Sequence, residues 1–319
     1  MNIAVVGSNG IVGQNTLKIL KERGLLGHKI FLFDIENTKI SLFNRIFSVS
    51  ETNETTLLAQ KLDYALFCTR EEISKKYIPI LAQHGTKCID FSAEFRHDYP
   101  LILPEINSSD IKGNIICNPN CSTAASVVAL NEISKQFGLS EIVYSSYQAV
   151  SGAGKGGLSD LFVTSPSNLT CFDYPIFNNI IPYIGSIAQN GYSTEENKMI
   201  YETKKILGNN EISISATCVR VPVDIGHSIS INFTTKTNCS LSQIKATLQN
   251  TSGVVVLDSP KNYPMPIWVK GKNEVLVGRI RNGHKPNNFN IFVVGDNLRK
   301  GASLNAVQIL EELIKIDSV

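Results

Sequence analysis

Large blocks of like charge are missing from this chain. Lysine and arginine number 30 against 28 aspartates and glutamates, a net charge of +2. That balance excludes the basic field that would hold nucleic acid, and there is no acidic tail. No apolar run approaches the ~18–20 residues of a membrane span. Neither an internal repeat nor a low-complexity segment is found. The seven cysteines are odd in number and widely scattered. They do not read as a disulfide framework, and in a reducing cytosol they stay free thiols. The opening MNIAVVG lacks the basic start and cleavage site of a signal peptide, so a cytoplasmic location is expected. Only five histidines occur, and none pairs with another at ligand spacing. The Cys117-x3-Cys121 spacing is therefore a poor zinc clip, and no metal is expected. What is present is ordinary globular material: 43% hydrophobic and 18% charged residues over 319 positions, enough for two domains.

The first ~120 residues alternate strand and helix patterns. NIAVV (2–6) is a short apolar run, followed by Gly7-Ser8-Asn9-Gly10-Ile11-Val12-Gly13 and then TLKILKERG. Leu17, Ile19 and Leu20 fall at helical spacing, and Gly24 is a stop signal. Strand, glycine turn and helix form the context of a dinucleotide fingerprint. There, backbone N–H groups at a helix N-terminus approach a pyrophosphate. The spacing is GxxGxxG rather than GxGxxG, which is a weak signal on its own. KIFLF ends at Asp34, about where an acidic side chain meets an adenosine ribose; a solvated strand end is the other reading. LDYALFC (62–68), TKCIDFS (86–92) and NIIC (114–117) read as further strands, with a helix over 72–83. The pattern predicts a Rossmann-like, doubly wound and mostly parallel sheet.

The second half is patterned differently. Segments 140–150, 211–223, 226–235 and 290–295 are longer and alternate apolar with polar residues. They predict an α+β domain with a mixed or antiparallel sheet covered on one face. Helices fit 194–207 and 240–249. The final amphipathic stretch sets Ala306, Ile309, Leu310 and Leu313 in one stripe, able to return over the first domain. The expected division is 1–120 with 297–319 for dinucleotide binding, and 121–296 for catalysis and dimerisation.

Chemistry gathers at a few positions. In ICNPNCSTAAS (116–126), Cys117 ends a strand, while Cys121 opens a helix. A thiol there feels the positive end of the helix dipole, which favours the nucleophilic thiolate. A small core residue under a turn is the competing reading. A thiolate needs a proton partner, usually histidine. His28, His84, His97 and His284 sit in polar, loop-like surroundings, whereas His227 heads a strand. Arg220 stands within apolar alternation and requires a carboxylate, either from substrate or from the protein. QAVSGAGKGG (148–157) is rich in small residues, as in a ligand loop or a flexible one. Glu195 and Lys198 are spaced as a helix surface pair.

Seven segments taken in order resemble the aspartate-semialdehyde dehydrogenase family. They are VVGSNGIVG, LPEIN, NPNCSTA, QAVSGAGKGG, EENKMIYETKKIL, CVRVPVDIGHS and GDNLRKGASLNAVQ, and they run along nearly the whole chain. The resemblance implies an NADP-dependent enzyme interconverting L-aspartyl 4-phosphate and L-aspartate 4-semialdehyde, in lysine/diaminopimelate, threonine and methionine biosynthesis. It makes Cys121 the nucleophile, His227 the general acid/base and Gln148 an orienting residue. Arg220 would grip the substrate α-carboxylate and Glu195 its ammonium. Arg96, Lys198 and Asn120 would hold phosphate. Residues 7–13, Asp34, Ser151, Gly152 and Asn297 would bind cofactor. A homodimer, or a dimer of dimers, is implied as well.

Three departures stand out. FDIENTK places Asp34 and Glu36 where the family generally carries Ser and Arg, which suits a free ribose hydroxyl and predicts relaxed or NAD-leaning cofactor use, with Thr38 and Lys39 partly compensating. Cys68-Thr69-Arg70-Glu71 replaces a glycine-containing loop. DFSAEFR (90–96) resembles the sister N-acetyl-glutamyl-phosphate reductase, whose substrate offers no ammonium. That reductase and a catalytically silent nucleotide-binding relative are the alternative readings.

Overall fold

The computed structural model describes residues 1–318. The chain forms two compact units, Met1–Pro119 with Ala302–Val319, and Asn120–Gly301. The crossings lie at 119/120 and 301/302 rather than at the expected 120/121 and 296/297. The shift has local causes. Asn120 is hydrogen-bonded to Glu195 and Glu202, Asn297 to Ser151 and Gly226, and Arg299 to Asn273. All of these partners belong to the second unit.

In the first unit, β1 (Asn2–Val6), β2 (Lys29–Asp34), β3 (Thr38–Leu42), β4 (Arg45–Glu51), β5 (Tyr64–Phe67), β6 (Lys87–Asp90) and β7 (Ile115–Cys117) form one sheet. Its order is β3-β4-β2-β1-β5-β6-β7. Every pairing is parallel except β3 with β4. The helices α1 (Ile11–Glu22), α2 (Glu54–Leu58), α3 (Glu71–Gln83) and α4 (Pro104–Asn107) follow in chain order, and α10 (Leu304–Asp317) returns at the end. Strand alternation sorts the core into two layers. Ile3, Val5, Leu32, Leu66 and Ile89 pack with α1 and with Leu304, Val307, Leu310 and Leu313 of α10. Ala4, Val6, Phe33, Ala65 and Phe67 pack with Leu57 of α2 and with Tyr77, Ile78 and Leu81 of α3. The terminal stripe thus covers the first unit, as its amphipathic spacing predicts. The β3–β4 hairpin is absent from the sequence reading. Its two-residue turn, Phe43-Asn44, has φ of 57° and 59°, a geometry ordinarily signalled by Asn-Gly or Asp-Gly.

The second unit holds α5 (Cys121–Phe137), α6 (Gly154–Asp160), α7 (Thr194–Ile206), α8 (Leu241–Gln249) and α9 (Pro266–Val269). Its strands are β8 (Leu139–Ala149), β9 (Ser213–Val221), β10 (His227–Thr235), β11 (Val254–Val256), β12 (Val275–Asn282) and β13 (Asn288–Gly295). They pair in the order β11-β12-β13-β10-β8-β9. The sheet is mixed: β11–β12 and β8–β9 are parallel and the rest antiparallel. One face buries Ile142, Tyr144, Ile229, Ile231, Phe233, Ile291 and Val293, while Val143 and Tyr147 on the other remain partly exposed. β11 and β12 were not legible from pattern: β11 has three residues, and β12 is interrupted by Gly278 and carries Arg279 and Arg281.

Candidate active site

Strand β7 ends at Cys117, which is fully buried. Asn118-Pro119-Asn120 turns the chain, and Cys121 is the first residue of α5. Asn120 fixes that turn through four hydrogen bonds. Its Oδ1 accepts the N–H groups of Ser122 and Thr123 at 2.9 and 3.3 Å, an N-cap that satisfies donors of the first helical turn. Its own N–H donates to Glu202 Oε2 at 2.7 Å, and its Nδ2 to Glu195 Oε1 at 2.8 Å. Both carboxylates come from α7, whose start is set by a reciprocal cap between Ser193 and Glu196. Glu196 also accepts the Cys218 N–H at 2.9 Å, tying α7 to β9. Behind the thiol, a Cβ on Gly301 would lie 2.7 Å from the Cβ of Cys121, so only glycine leaves room there.

His227 opens β10 and is fully buried. Its Nε2 lies 3.1 Å from Cys121 Sγ, and its Nδ1 accepts the Ala149 N–H at 3.0 Å. Burial, and then the nearby Arg220 charge, push the imidazole well below its ordinary range, so the ring is neutral at physiological pH. Arg220 on β9 is 5% exposed and donates from Nη1 to the Ala149 carbonyl at 2.7 Å. Burial lowers its pKa, opposed by Glu195 and Cys121. One residue at the end of β8 therefore holds both groups, His227 by its N–H and Arg220 by its C=O. Gln148 is buried on β8, in register with Arg220, and donates to Ser146 Oγ at 3.3 Å. A Cβ on Gly152 would lie 2.8 Å from Arg220 Nη1 and 3.4 Å from His227 Nε2. Ser151 Oγ accepts from Asn297 Nδ2 at 2.9 Å, and Asn297 Oδ1 accepts the Gly226 N–H at 2.9 Å, which anchors the residue before His227. Lys198 Nζ is 3.9 Å from Glu195 Oε2. Arg220 also lines a cavity of about 380 Å³ with Cys171, Phe172, Tyr174 and Tyr183.

Cys121, His227, Arg220, Gln148, Asn120, Glu195, Lys198, Ser151, Gly152 and Asn297 all fall in the second unit. Glu195 and Lys198 are not a plain surface pair, because the Glu195 carboxylate is buried against Asn120. Glu202 and the Ala149 peptide were missed by sequence reasoning. Glu195, Lys198 and Glu202 stand at i, i+3 and i+7 of α7, a one-face spacing that could have exposed Glu202; nothing in the sequence marks a main-chain group such as that of Ala149.

The remaining predicted residues lie in the first unit. Arg96 is buried, and its Nη2 donates to the Phe91 carbonyl at 2.7 Å. Gly7 has φ of 81°, and a Cβ there would strike the Cys68 carbonyl oxygen at 2.4 Å; one on Gly13 would strike the Gly7 oxygen at 2.2 Å. The turn therefore admits nothing larger than glycine at these points, and the Cys68–Glu71 loop packs directly on it. Gly10 precedes α1 without a side-chain cap, leaving N–H groups of Ile11, Val12 and Gly13 in the uncapped first turn for a ligand. Ser8 Oγ is buried without a partner. Asp34 Oδ2 accepts the Asn9 N–H at 2.7 Å and Oδ1 that of Ile35 at 2.9 Å, which sets the carboxylate beside the turn. These features fit a dinucleotide pyrophosphate and ribose. Among the described residues no cluster of metal ligands occurs, and no helix is long and apolar enough to cross a membrane.

Residues 2–114 match the family model for the semialdehyde dehydrogenase NAD binding domain, and residues 130–300 that for the semialdehyde dehydrogenase dimerisation domain. An aspartate-semialdehyde dehydrogenase of Aquifex aeolicus is 40% identical over 98% of each chain. The chain belongs to the aspartate-semialdehyde dehydrogenase family. The Bacillus subtilis member is 37% identical over 100% of this chain and 99% of its own. The solved aspartate semialdehyde dehydrogenase II of Vibrio cholerae, complexed with ASA, has 36% identity and a TM-score of 0.92 over 98% of both chains. As a member of the semialdehyde dehydrogenase family, the chain is an oxidoreductase with a nicotinamide-nucleotide-binding unit.

Proposed function

We propose that the protein interconverts L-aspartyl 4-phosphate and L-aspartate 4-semialdehyde through a covalent adduct on Cys121. The observation that carries this reading is the 3.1 Å approach of Cys121 Sγ to His227 Nε2 at the N-terminus of α5, with Arg220 and His227 held by one peptide. The helix terminus stabilises the thiolate. The sulfur adds to the carbonyl carbon, and His227 Nε2 faces the oxygen that then carries charge. A nicotinamide cofactor supplies or accepts the hydride when bound. Phosphate attack on the thioester returns Cys121 as thiolate, and the reverse sequence runs in biosynthesis.

Arg220 offers its remaining guanidinium donors to the substrate α-carboxylate, and Glu195 offers its carboxylate to the ammonium. An N-acetylated substrate lacks that ammonium, which disfavours the sister reductase. Gln148 orients the reacting group. Arg96, Lys198 and Asn120 serve the phosphate; Asn120 does so while its amide also holds Glu195, so its part is to position as much as to bind. Residues 7–13 cradle the pyrophosphate, Asp34 takes the ribose, and Ser151, Gly152 and Asn297 serve the nicotinamide end. Asp34 and Glu36 repel a 2′-phosphate, which favours NAD or mixed use over strict NADP dependence. The half-exposed sheet face around Val143 and Tyr147 supports a homodimer or a dimer of dimers.

One assay tests the reading: phosphate-dependent reduction of NAD and of NADP with aspartate semialdehyde, in wild type and Cys121→Ala. Loss of at least about a thousand-fold is expected in the variant. Retained activity would sink the mechanism, and a strong NADP preference in wild type would refute the cofactor assignment.

A further inference from the structure

Asn120, the residue before the nucleophile, is held by both its side chain and its main chain, and the main-chain tether comes from Glu202. No step of the proposed reaction uses that glutamate. It is nonetheless 1% exposed, and its Oε2 accepts the Asn120 N–H at 2.7 Å. A carboxylate is costly to bury, and charge-assisted bonds of this length are the strong ones. The tether is also out of pattern. Helices α2, α7 and α8 close their N-termini locally: the residue at the third helical position, Thr56, Glu196 or Gln243, accepts the N–H of the cap residue. In α5 that position is Thr123, whose Oγ1 is buried without a hydrogen-bond partner. The α5 cap is closed from another helix instead.

α7 has other means of keeping its place. Glu196 accepts the Cys218 N–H of β9 at 2.9 Å, Thr203 Oγ1 lies 3.2 Å from Tyr144 Oη on β8, and Met199 and Ile206 are buried. With α7 fixed to the sheet, the Glu202 bond acts on the turn that it grips. Glu195, Lys198 and Glu202 share one face of α7. In the proposed reaction the first two read the ammonium and phosphate of the substrate. The third holds the peptide in front of the thiol. One helix thus carries both substrate contacts and an anchor of the nucleophile.

We propose that Glu202 is a positioning residue: its carboxylate closes the cap of α5 from α7, and so sets the Cys121 sulfur at the distance from Glu195 and Lys198 that the substrate spans. The inference rests on the proposed dehydrogenase reading, because Glu195 and Lys198 matter here only as substrate contacts. It makes reach, rather than charge, the property that counts at this position. Misplacing a reacting atom by about 1 Å can cost about a hundredfold in rate while the substrate contacts survive, so the loss falls on kcat rather than on KM.

Two variants of the full-length protein separate reach from charge. Glu202→Asp keeps the charge and draws the oxygens back by one carbon–carbon bond, about 1.5 Å. Glu202→Gln keeps the reach and an acceptor oxygen but removes the charge. In phosphate-dependent oxidation of aspartate semialdehyde, Glu202→Asp should lower kcat about a hundredfold, with KM for semialdehyde and for phosphate within about threefold of wild type. Glu202→Gln should keep kcat within about tenfold of wild type. Hydrogen–deuterium exchange of segment 118–123, read by mass spectrometry, should be faster in Glu202→Asp and close to wild type in Glu202→Gln. The reverse order of the two variants would make charge the essential property and overturn the proposal. So would a kcat within about threefold of wild type in Glu202→Asp, whatever its Tm. Should Glu202→Asp not fold, Glu202→Met removes the acceptor at similar volume and carries the same expectations. An active wild type with unchanged exchange in Glu202→Asp overturns this inference alone, whereas a wild type without phosphate-dependent activity on the semialdehyde overturns the underlying reading.

Discussion

The two units build their chemical surfaces from different materials. In the first, the candidate nucleotide site is mostly main chain: a turn at Gly7, Gly10 and Gly13, the uncapped start of α1 and the Asp34 carboxylate. In the second, it is side chains from α5, α7, β8, β9 and β10, each fixed by a hydrogen bond to a peptide group or to a neighbour. A main-chain site fails by steric intrusion, and its limits are set by where a Cβ fits. A side-chain site fails by unpairing, and its limits are set by which buried donors and acceptors lose partners.

That contrast can be broken at its extremes. Gly13→Ala should have the largest effect of the four changes considered next. Its added carbon would meet the Gly7 oxygen at 2.2 Å, so α1 must move off the turn; cofactor binding by fluorescence titration should be lost while Cys121 alkylation persists. Leu310→Ala empties a fully buried position between α10 and the first sheet, and should cost about 2–5 kcal/mol by urea denaturation. Asn120→Ala strikes the second unit without touching its core. It removes an N-cap, at about 1 kcal/mol, and leaves buried carboxylate oxygen of Glu195 without its donor, at about 1–3 kcal/mol. Activity should fall further than stability, because the turn before Cys121 is loosened. The smallest effect is pH-dependent. Unfolded His227 binds a proton below its ordinary pKa of about 6.5, and the buried ring does not. The unfolded state thus holds more protons in acid. The contribution of this group is fully present above about pH 6.5 and is lost as pH falls toward the depressed folded value. His227→Gln should therefore flatten the acid side of a Tm–pH profile; an unchanged profile would contradict the burial argument.

The same contrast explains what the sequence disclosed. The parallel strands of the first unit read directly from apolar runs, and α10 from its stripe, because burial on both sheet faces leaves no polar interruption. The start of α5 at Cys121 was legible from Asn120 and the small residues after it. The β3–β4 hairpin was not, since β3 is an edge strand, both strands are half-exposed, and Phe43 takes a left-handed turn position without a glycine. Cys121, His227 and Arg220 stood out singly as residue types in unusual places. Their convergence depends on the register of β8 with β9 and β10, which no local pattern encodes. Glu202 was hidden because a buried glutamate accepting a backbone N–H looks, in sequence, like any helix glutamate.

The return of α10 to the first unit sets an order on assembly. Residues 120–301 are contiguous, so the second unit has all of its chain once Gly301 leaves the ribosome. The first unit begins earlier but finishes last: Ile3, Val5, Leu17 and Leu20 await Leu304, Val307 and Leu310, a contact spanning nearly the whole length of synthesis. Until then an apolar sheet face stands open to solvent and to other nascent chains. Termination between Gly301 and α10 therefore yields a product with a complete second unit and a first unit in need of a chaperone, and cellular supply of this protein should depend on the integrity of its last twenty or so residues.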